Sequence, residues 1–294
     1  MTVTHSAQAR TDGGPLQARA EVVSMRPVGE YFLLTLHVPG VAERTRPGQF
    51  AALAVGGPRS SMLLRRAFSI HRVDAEADTV EIVLAVHGKG TAWLAELRPG
   101  DSVDVAAPLG RPYSIPDQPV ASVLVGGGYG SAPMFGLAER LRERDCAVHL
   151  VLGAASEPRL FGVAEAERVA DSVTVTTEDG SVGVRGRVTD VLPDLIRRTQ
   201  VRAVYACGPM AMLRAVASVA ERHDLASQCA VEEAMACGVG VCMTCVLPVV
   251  GDDGRTRMTR SCVDGPVFEG HRVHWDAIGT IPDQTVGAPS GGDH

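Results

Sequence analysis

Four cysteines near the C-terminal end, Cys237, Cys242, Cys245 and Cys262, follow the spacing C-x4-C-x2-C-x16-C. This is the plant-type arrangement for a [2Fe–2S] cluster: a tight loop carrying three thiolates wraps one side of a small inorganic core, and a distant fourth closes it. Gly238 and Gly240 lie inside that loop, where the lack of a Cβ lets the backbone approach the core and reach φ > 0 turns. The competing reading is a structural zinc site. Zinc ribbons present two short cysteine pairs far apart, whereas here three thiolates fall within nine residues and the fourth follows alone. The spacing points to iron–sulfur, and so to a chain that carries electrons.

At 294 residues the chain exceeds what one hydrophobic core usually supports, so two or three domains are expected. A formal charge of −6, a pI near 5.8 and the lack of any Lys/Arg-dense run offer no basic field for nucleic acid or anionic membrane. Residues 1–14 lack the apolar core of a secretory signal, and no run of about 18 apolar residues occurs; a cytoplasmic location is expected. Seven cysteines, an odd number, fit a reducing compartment where thiols serve metals. Outside the quartet, Cys146, Cys207 and Cys229 read as small buried apolar residues.

The order of patterns along the chain predicts three modules between disordered tails at 1–16 and 283–294. Residues 17–117 read as short strands at Arg19–Met25, Tyr31–Val38, Phe50–Val55, Ala67–His71, Thr79–Ala85 and Ser102–Val105, broken by Pro-Gly pairs, with one short helix at Thr91–Leu97. That is the pattern of a small antiparallel β-barrel. Residues 118–225 change character: apolar runs at Val120–Val125, Val148–Leu152, Val173–Thr176 and Ala203–Ala206 alternate with helical stretches at Pro133–Arg144, Val188–Arg197 and Met210–Arg222. This is the βαβ signature of a doubly wound α/β domain. The cysteine loop and a few strands form the last module, 226–282.

Two glycine turns fall at strand ends of the α/β domain. Gly126-Gly127-Gly128-Tyr129-Gly130 is not the Rossmann fingerprint, because Ser131 stands where a third glycine is needed. Glycines between a strand and a helix still suit close approach of a dinucleotide diphosphate, through Gly127, Gly128 and Gly130, or they simply make a tight turn. Cys207-Gly208-Pro209 lies at the C-terminal end of another strand, the edge where open α/β sheets bind ligands. In the barrel, Arg65-Arg66-Ala67-Phe68-Ser69-Ile70 places a guanidinium, an aromatic ring and a hydroxyl on one strand. Alternation puts Arg66 and Phe68 on one face and Ala67 and Ser69 on the other. A bidentate Arg66 suits a diphosphate and a hydroxyl suits a flavin ring nitrogen; an exposed edge-strand Arg with a half-buried Phe is the plainer account. Gly88-Lys89-Gly90-Thr91 opens the short helix, either offering N–H groups to a phosphate or forming a solvated loop capped by Thr91.

In this order the pieces resemble the ferredoxin reductase-like flavoproteins, and within them the electron-transfer subunits of B-type dihydroorotate dehydrogenase. The resemblance covers residues 18–280. It rests on Pro47-Gly48-Gln49-Phe50, Arg66-Ala67-Phe68-Ser69, Gly88-Lys89-Gly90-Thr91, Gly126–Gly130, Glu178-Asp179-Gly180-Ser181 and Cys207-Gly208-Pro209. Most specific are Glu232-Glu233-Ala234-Met235-Ala236-Cys237-Gly238 and Arg260-Ser261-Cys262-Val263-Asp264-Gly265-Pro266-Val267-Phe268. The resemblance implies a relay from NADH to FAD, then to the [2Fe–2S] cluster, then to the FMN of a separate catalytic subunit that interconverts dihydroorotate and orotate in pyrimidine biosynthesis, in a heterotetramer with two of each chain. Carried over by motif, Arg66, Ala67, Phe68, Ser69, Val83, Leu84, Ala85, Gly90 and Thr91 would bind FAD, and the four cysteines the cluster. Ala67, Tyr129 and Thr244 depart from the family's pattern, and Tyr129 would narrow the nicotinamide approach.

Two alternatives stay open from the residues. One is an NAD(P)H:ferredoxin-type or sulfide dehydrogenase reductase subunit with the same modules, since fold does not separate these. The other is a zinc-stapled, non-enzymatic binding module. NADH and NADPH are not distinguished either, because Ser156 and Arg159 either hold a 2′-phosphate or are solvated.

Overall fold

The structure, a computed structural model, describes residues 14–57 and 60–288; of the expected tails, 1–13 and 289–294 lie outside the described residues. Alternating apolar positions and Pro-Gly breaks in the first third of the chain give β1 (Leu16–Val28), β2 (Tyr31–His37), β3 (Phe50–Leu53), β4 (Arg66–Asp74), β5 (Thr79–Leu84) and β6 (Ser102–Leu109). They pair antiparallel and close into a barrel in the order β1-β2-β5-β4-β3-β6. Inward side chains such as Val22, Leu36, Leu53, Ile82 and Val105 fill it, and α1 (Lys89–Ala95) adds Leu94 to the same core. β6 runs four residues past the expected Val105 because it pairs with both β1 and β3 and thereby closes the barrel.

The α/β domain consists of β7 (Ser122–Gly127), α2 (Ala132–Arg142), β8 (Val148–Ala154), α3 (Val163–Val169), β9 (Ser172–Thr177), β10 (Val184–Arg185), α4 (Val188–Thr199), β11 (Ala203–Cys207), α5 (Met210–Arg222) and β12 (Ala226–Ala230). The sheet order is β10-β9-β8-β7-β11-β12, extended at its edge by β15 (Val267–Glu269), so the winding reverses between β7 and β11. A crevice opens at the carboxyl ends of strands at such a reversal. The C-terminal module adds the hairpin of β13 (Val246–Val250) and β14 (Thr256–Arg260), then β15 (Val267–Glu269) antiparallel to β12.

The sheet crosses the expected boundary at 225/226. β12 and β15, both read as cluster-module sequence, are strands of the α/β sheet. The reason lies in Gln228, a polar residue in a buried strand. Its Oε1 accepts from Ser114 N at 2.8 Å and its Nε2 donates to Ser114 O at 2.9 Å, so the linker after the barrel satisfies an amide that otherwise argues against a buried strand. Residues 283–288, assigned to a tail, also pack: Val286 N donates to Thr256 O at 2.9 Å.

Shared cores fuse the modules. Tyr31, Leu33 and Val83 of the barrel pack with Phe135 and Phe161 on one face of the sheet. Leu247 and Phe268 join α4 and α5 on the other. Phe50, Ala52 and Leu109, on the barrel's outer face, pack with Cys245 and Cys262. Among the described residues no helix is long and apolar enough to cross a membrane.

Candidate functional site

The cysteine loop is built around left-handed backbone at Gly238 (φ 72°), Gly240 (φ 82°) and Met243 (φ 58°). A Cβ on Gly240 would fall 2.6 Å from Val263 Cγ2, so both conformation and space require glycine there. The turned backbone aims N–H groups at sulfur: those of Val239, Val241 and Cys242 donate to Cys237 Sγ at 3.5, 3.4 and 3.5 Å. Cys262 N donates to Cys245 Sγ at 3.4 Å. The thiols pair, Cys237 within hydrogen-bonding reach of Cys242 and Cys245 of Cys262. Two pairs suit a two-iron core with two thiolates per iron, whereas zinc needs its ligands on one point. The pairing, not a single convergence point, is what the four thiols show.

Burial works against ionising Cys237, but the N–H donors of Val239, Cys242 and Val241 outweigh it and bring the thiol down to about 6. A thiol lowered in this way gives up its proton readily, and the thiolate is the form that binds metal. Cys262 is pushed up to about 12 by burial and by neighbouring Cys245. The quartet thus straddles surface and core. Cys245 and Cys262 are buried against the barrel, while Cys242 is exposed among exposed Val239, Val241 and Met243.

On β4, Arg66 lies against the N-terminal turn of α1. A Cβ at Gly90 would come 2.9 Å from Arg66 Nε, so glycine lets the guanidinium rest directly on that turn. Arg66 Nη1 also donates to Leu64 O at 2.7 Å, which fixes its direction. A fixed cation beside helical N–H groups is a donor set for a diphosphate, and the residues present fit FAD there. Thr91 orders the loop instead of facing outward: its hydroxyl accepts from His87 N and Gly88 N at 2.9 and 3.2 Å and donates to Gly88 O at 3.1 Å. Val83, Leu84 and Ala85 are buried in the barrel wall. Phe68 packs on the barrel interior, Ala67 is exposed, and the Ser69 hydroxyl reaches the thiol of Cys207 across the domain boundary.

Above Cys207 a cleft of about 530 Å³ runs along the carboxyl ends of the strands. Of the glycine-turn residues, Gly127, Gly128 and Pro209 line it. Gly130 and Gly208 do not; they meet backbone to backbone beneath it, where a Cβ on Gly130 would fall 2.7 Å from Gly208 Cα. Tyr129, expected to narrow the nicotinamide approach, lines the cleft, and sequence reasoning gave no site role to three further lining residues, Tyr31, Glu178 and Glu232. Glu178 and Glu232 belong to the two acidic motifs, and the position of Glu178 just after a strand run was the available signal. Tyr129 stands edge-on to Tyr31 at 5.5 Å and is pushed up to about 12 by burial, then by Glu232. Glu232 touches solvent in the cleft wall, yet the protein around it displaces enough water to raise its carboxyl. Burial, then Glu232, holds the Cys207 thiol far above its ordinary value, with Ser69 acting the other way.

The three modules match three family models in the same order. Residues 29–112 match the siderophore-interacting FAD-binding domain, 124–218 the oxidoreductase NAD-binding domain, and 232–274 the iron-sulfur cluster binding domain of dihydroorotate dehydrogenase B. The electron transfer subunit of dihydroorotate dehydrogenase B (NAD(+)) from Bacillus caldolyticus is 40% identical over 259 residues, covering 87% of this chain and 97% of that one. The chain belongs to the family of dihydroorotate dehydrogenase B (NAD(+)) electron transfer subunits. A probable member from Methanopyrus kandleri is 35% identical over 270 residues, covering 92% of this chain and 97% of its own. Among solved structures, a chain of the NADH-dependent reduced ferredoxin-NADP oxidoreductase superposes with a TM-score of 0.78 at 30% identity, covering 91% of this chain and 93% of that chain. Ferredoxin NADP+ reductase from Neisseria gonorrhoeae shares the fold alone, with a TM-score of 0.58 at 18% identity over 78% of this chain and 94% of that one. The dihydroorotate dehydrogenase B family thus accounts for the cysteine loop as well as the barrel and sheet that carry it.

Proposed function

We propose that this chain accepts electrons from NADH in the cleft and delivers them, through the thiolate loop, to the FMN of a dihydroorotate dehydrogenase catalytic subunit, in an assembly with two of each chain. Bound FAD supplies the exchange between a two-electron hydride donor and a one-electron centre, and the [2Fe–2S] cluster supplies single-electron transfer. Arg66 and the first turn of α1 would hold the flavin diphosphate, and the Ser69 hydroxyl, which reaches the Cys207 thiol, would hydrogen-bond the flavin ring. Gly127, Gly128 and Pro209 let the dinucleotide lie close to backbone. The four cysteines hold the two irons.

The observation that carries this reading is the straddling quartet. Two ligands are seated on the flavin-bearing barrel and a third, Cys242, is at the surface, with a rim that includes Val241, 79% exposed. Electrons thus have an entry side and an exit side, and the exit is apolar, as suits docking of a protein partner. Glu178 supports NADH as donor. A carboxylate in the cleft accepts from ribose hydroxyls and repels a 2′-phosphate, while the two cleft cations are both engaged, Arg159 by Glu30 at 3.1 Å and Arg187 by Glu178 itself at 4.0 Å.

The test is co-expression with a catalytic subunit. NADH-dependent orotate reduction is expected from the pair, and only artificial-acceptor reduction from this chain alone. The structural likeness to the ferredoxin-NADP oxidoreductase chain favours one other reading, delivery to a ferredoxin-type centre. Orotate turnover by the pair decides between the two.

A further inference from the structure

β4 does more than carry Arg66 and Ser69. Between Ile70 and Arg72 its register with β5 shifts, so that Ile70 pairs with Ile82 but Arg72 with Glu81. Such a bulge breaks the alternation that otherwise sends consecutive side chains to opposite faces. Its consequence is that His71 and Arg72 both reach the α/β domain. His71 Nδ1 donates to Ala132 O at 2.8 Å, the first residue of α2, and its ring stands edge-on to Phe135 and Phe161. Arg72 forks between two helices, Nε to Glu165 Oε1 on α3 at 2.6 Å and Nη2 to Glu139 Oε1 on α2 at 2.8 Å.

We propose that Arg72, seated by the His71 bulge, is a positioning residue for hydride transfer. It fixes the flavin-bearing strand relative to the helix that springs from the Gly126–Gly130 turn lining the nucleotide cleft. The inference rests on the reading of that cleft as the NADH site. The reaction it serves removes a hydride, a proton with two electrons, from the nicotinamide and leaves NAD+, the acceptor being the flavin on the barrel. Ser69 is three residues before Arg72 on the same strand, and Gly128 is four residues before Ala132, so each partner in the transfer is tied to one side of the fork. Arg72 is 34% exposed, Glu139 41% and Glu165 15%, so the fork sits at the rim of the interface, where ion pairs add modest stability, and the shared apolar core already joins the domains. The fork's contribution is therefore to alignment, on which transfer rates depend steeply.

The experiment compares Arg72→Leu, Arg72→Lys and Glu139→Gln with the parent, as full FAD-loaded chains. It measures the limiting rate of flavin bleaching by NADH, the NADH dissociation constant, FAD content, melting midpoint, and hydrogen exchange of α2 amides without nucleotide. For Arg72→Leu the limiting rate should fall about tenfold or more, with NADH affinity and FAD content unchanged and faster exchange at the start of α2. Arg72→Lys keeps the charge but not the fork and should recover only part of the rate. A parental rate in Arg72→Leu overturns the proposal, as does a rate that falls only in proportion to lost FAD. If Arg72→Leu does not fold, Arg72→Lys and Glu139→Gln are judged by the same two criteria. A parent chain that NADH fails to reduce overturns the cleft reading itself, a result separate from any difference between variants.

Discussion

Phe50 and Ser69 are direct cross-strand partners on β3 and β4, so their side chains leave the same face of the barrel. Phe50 packs with Cys245 and Cys262, and the Ser69 hydroxyl reaches Cys207. One strand pair, with Cβ atoms about 5 Å apart, therefore connects the proposed flavin edge with two of the proposed cluster ligands. A sheet is a stiff spacer, so this separation is set by backbone geometry and not by a mobile side chain.

Removing the guanidinium tests the flavin seat. Arg66→Ala should lose one to two decades of FAD affinity, on the order of 1.5–3 kcal/mol for a charge-assisted contact, while iron content stays at the parental level because the quartet lies in another module. Flavin retention on dilution and gel filtration measures this. Full occupancy in the variant would remove Arg66 from the diphosphate site.

Cys262→Ser offers iron a harder oxygen in place of a thiolate. Iron content and the visible iron–sulfur absorption should drop, and electron delivery to a partner should fall sharply, while stopped-flow reduction of the flavin by NADH stays near the parental rate. Cys146→Ser, buried in the α/β core and outside the quartet, should leave all three unchanged. Equal iron in the two variants would mean that Cys262 is not a ligand.

Stripping the cluster exposes the thiols to a pH test. Cys237, brought down to about 6 from an ordinary 9.0, gains thiolate as pH rises through that value. Its alkylation by iodoacetamide should therefore climb between about pH 5 and 7 and level off above. Cys262, pushed up to about 12 and buried, should label slowly throughout. Mass-spectrometric mapping of the labelled cysteines checks both, and a Cys237 profile centred near 9 would contradict the N–H donors as its cause.

The donor preference should reside largely in Glu178. Glu178→Arg is expected to shift the NADH-to-NADPH ratio of kcat/KM toward NADPH by about tenfold or more, equivalent to about 1.4 kcal/mol. An unchanged ratio would leave Arg159 and the end of β8 to account for the choice.

What the sequence by itself determined is what short-range spacing encodes. Cys237, Cys242 and Cys245 had to share one loop whatever surrounds them, and the barrel strands and βαβ repeats follow from periodicities of two and 3.6 residues. Arg66, Ala67, Phe68 and Ser69 alternate as the pleat requires. Tertiary structure decided the rest. β12 was illegible because the partner that satisfies Gln228 is Ser114, more than a hundred residues away. Gly130 and Gly208 look like ligand glycines until the fold brings their backbones together. His71 and Arg72 look like an ordinary strand end until a bulge turns both toward Ala132, Glu139 and Glu165. Periodicity reports which face a side chain leaves from, but only the folded chain supplies the atom it meets.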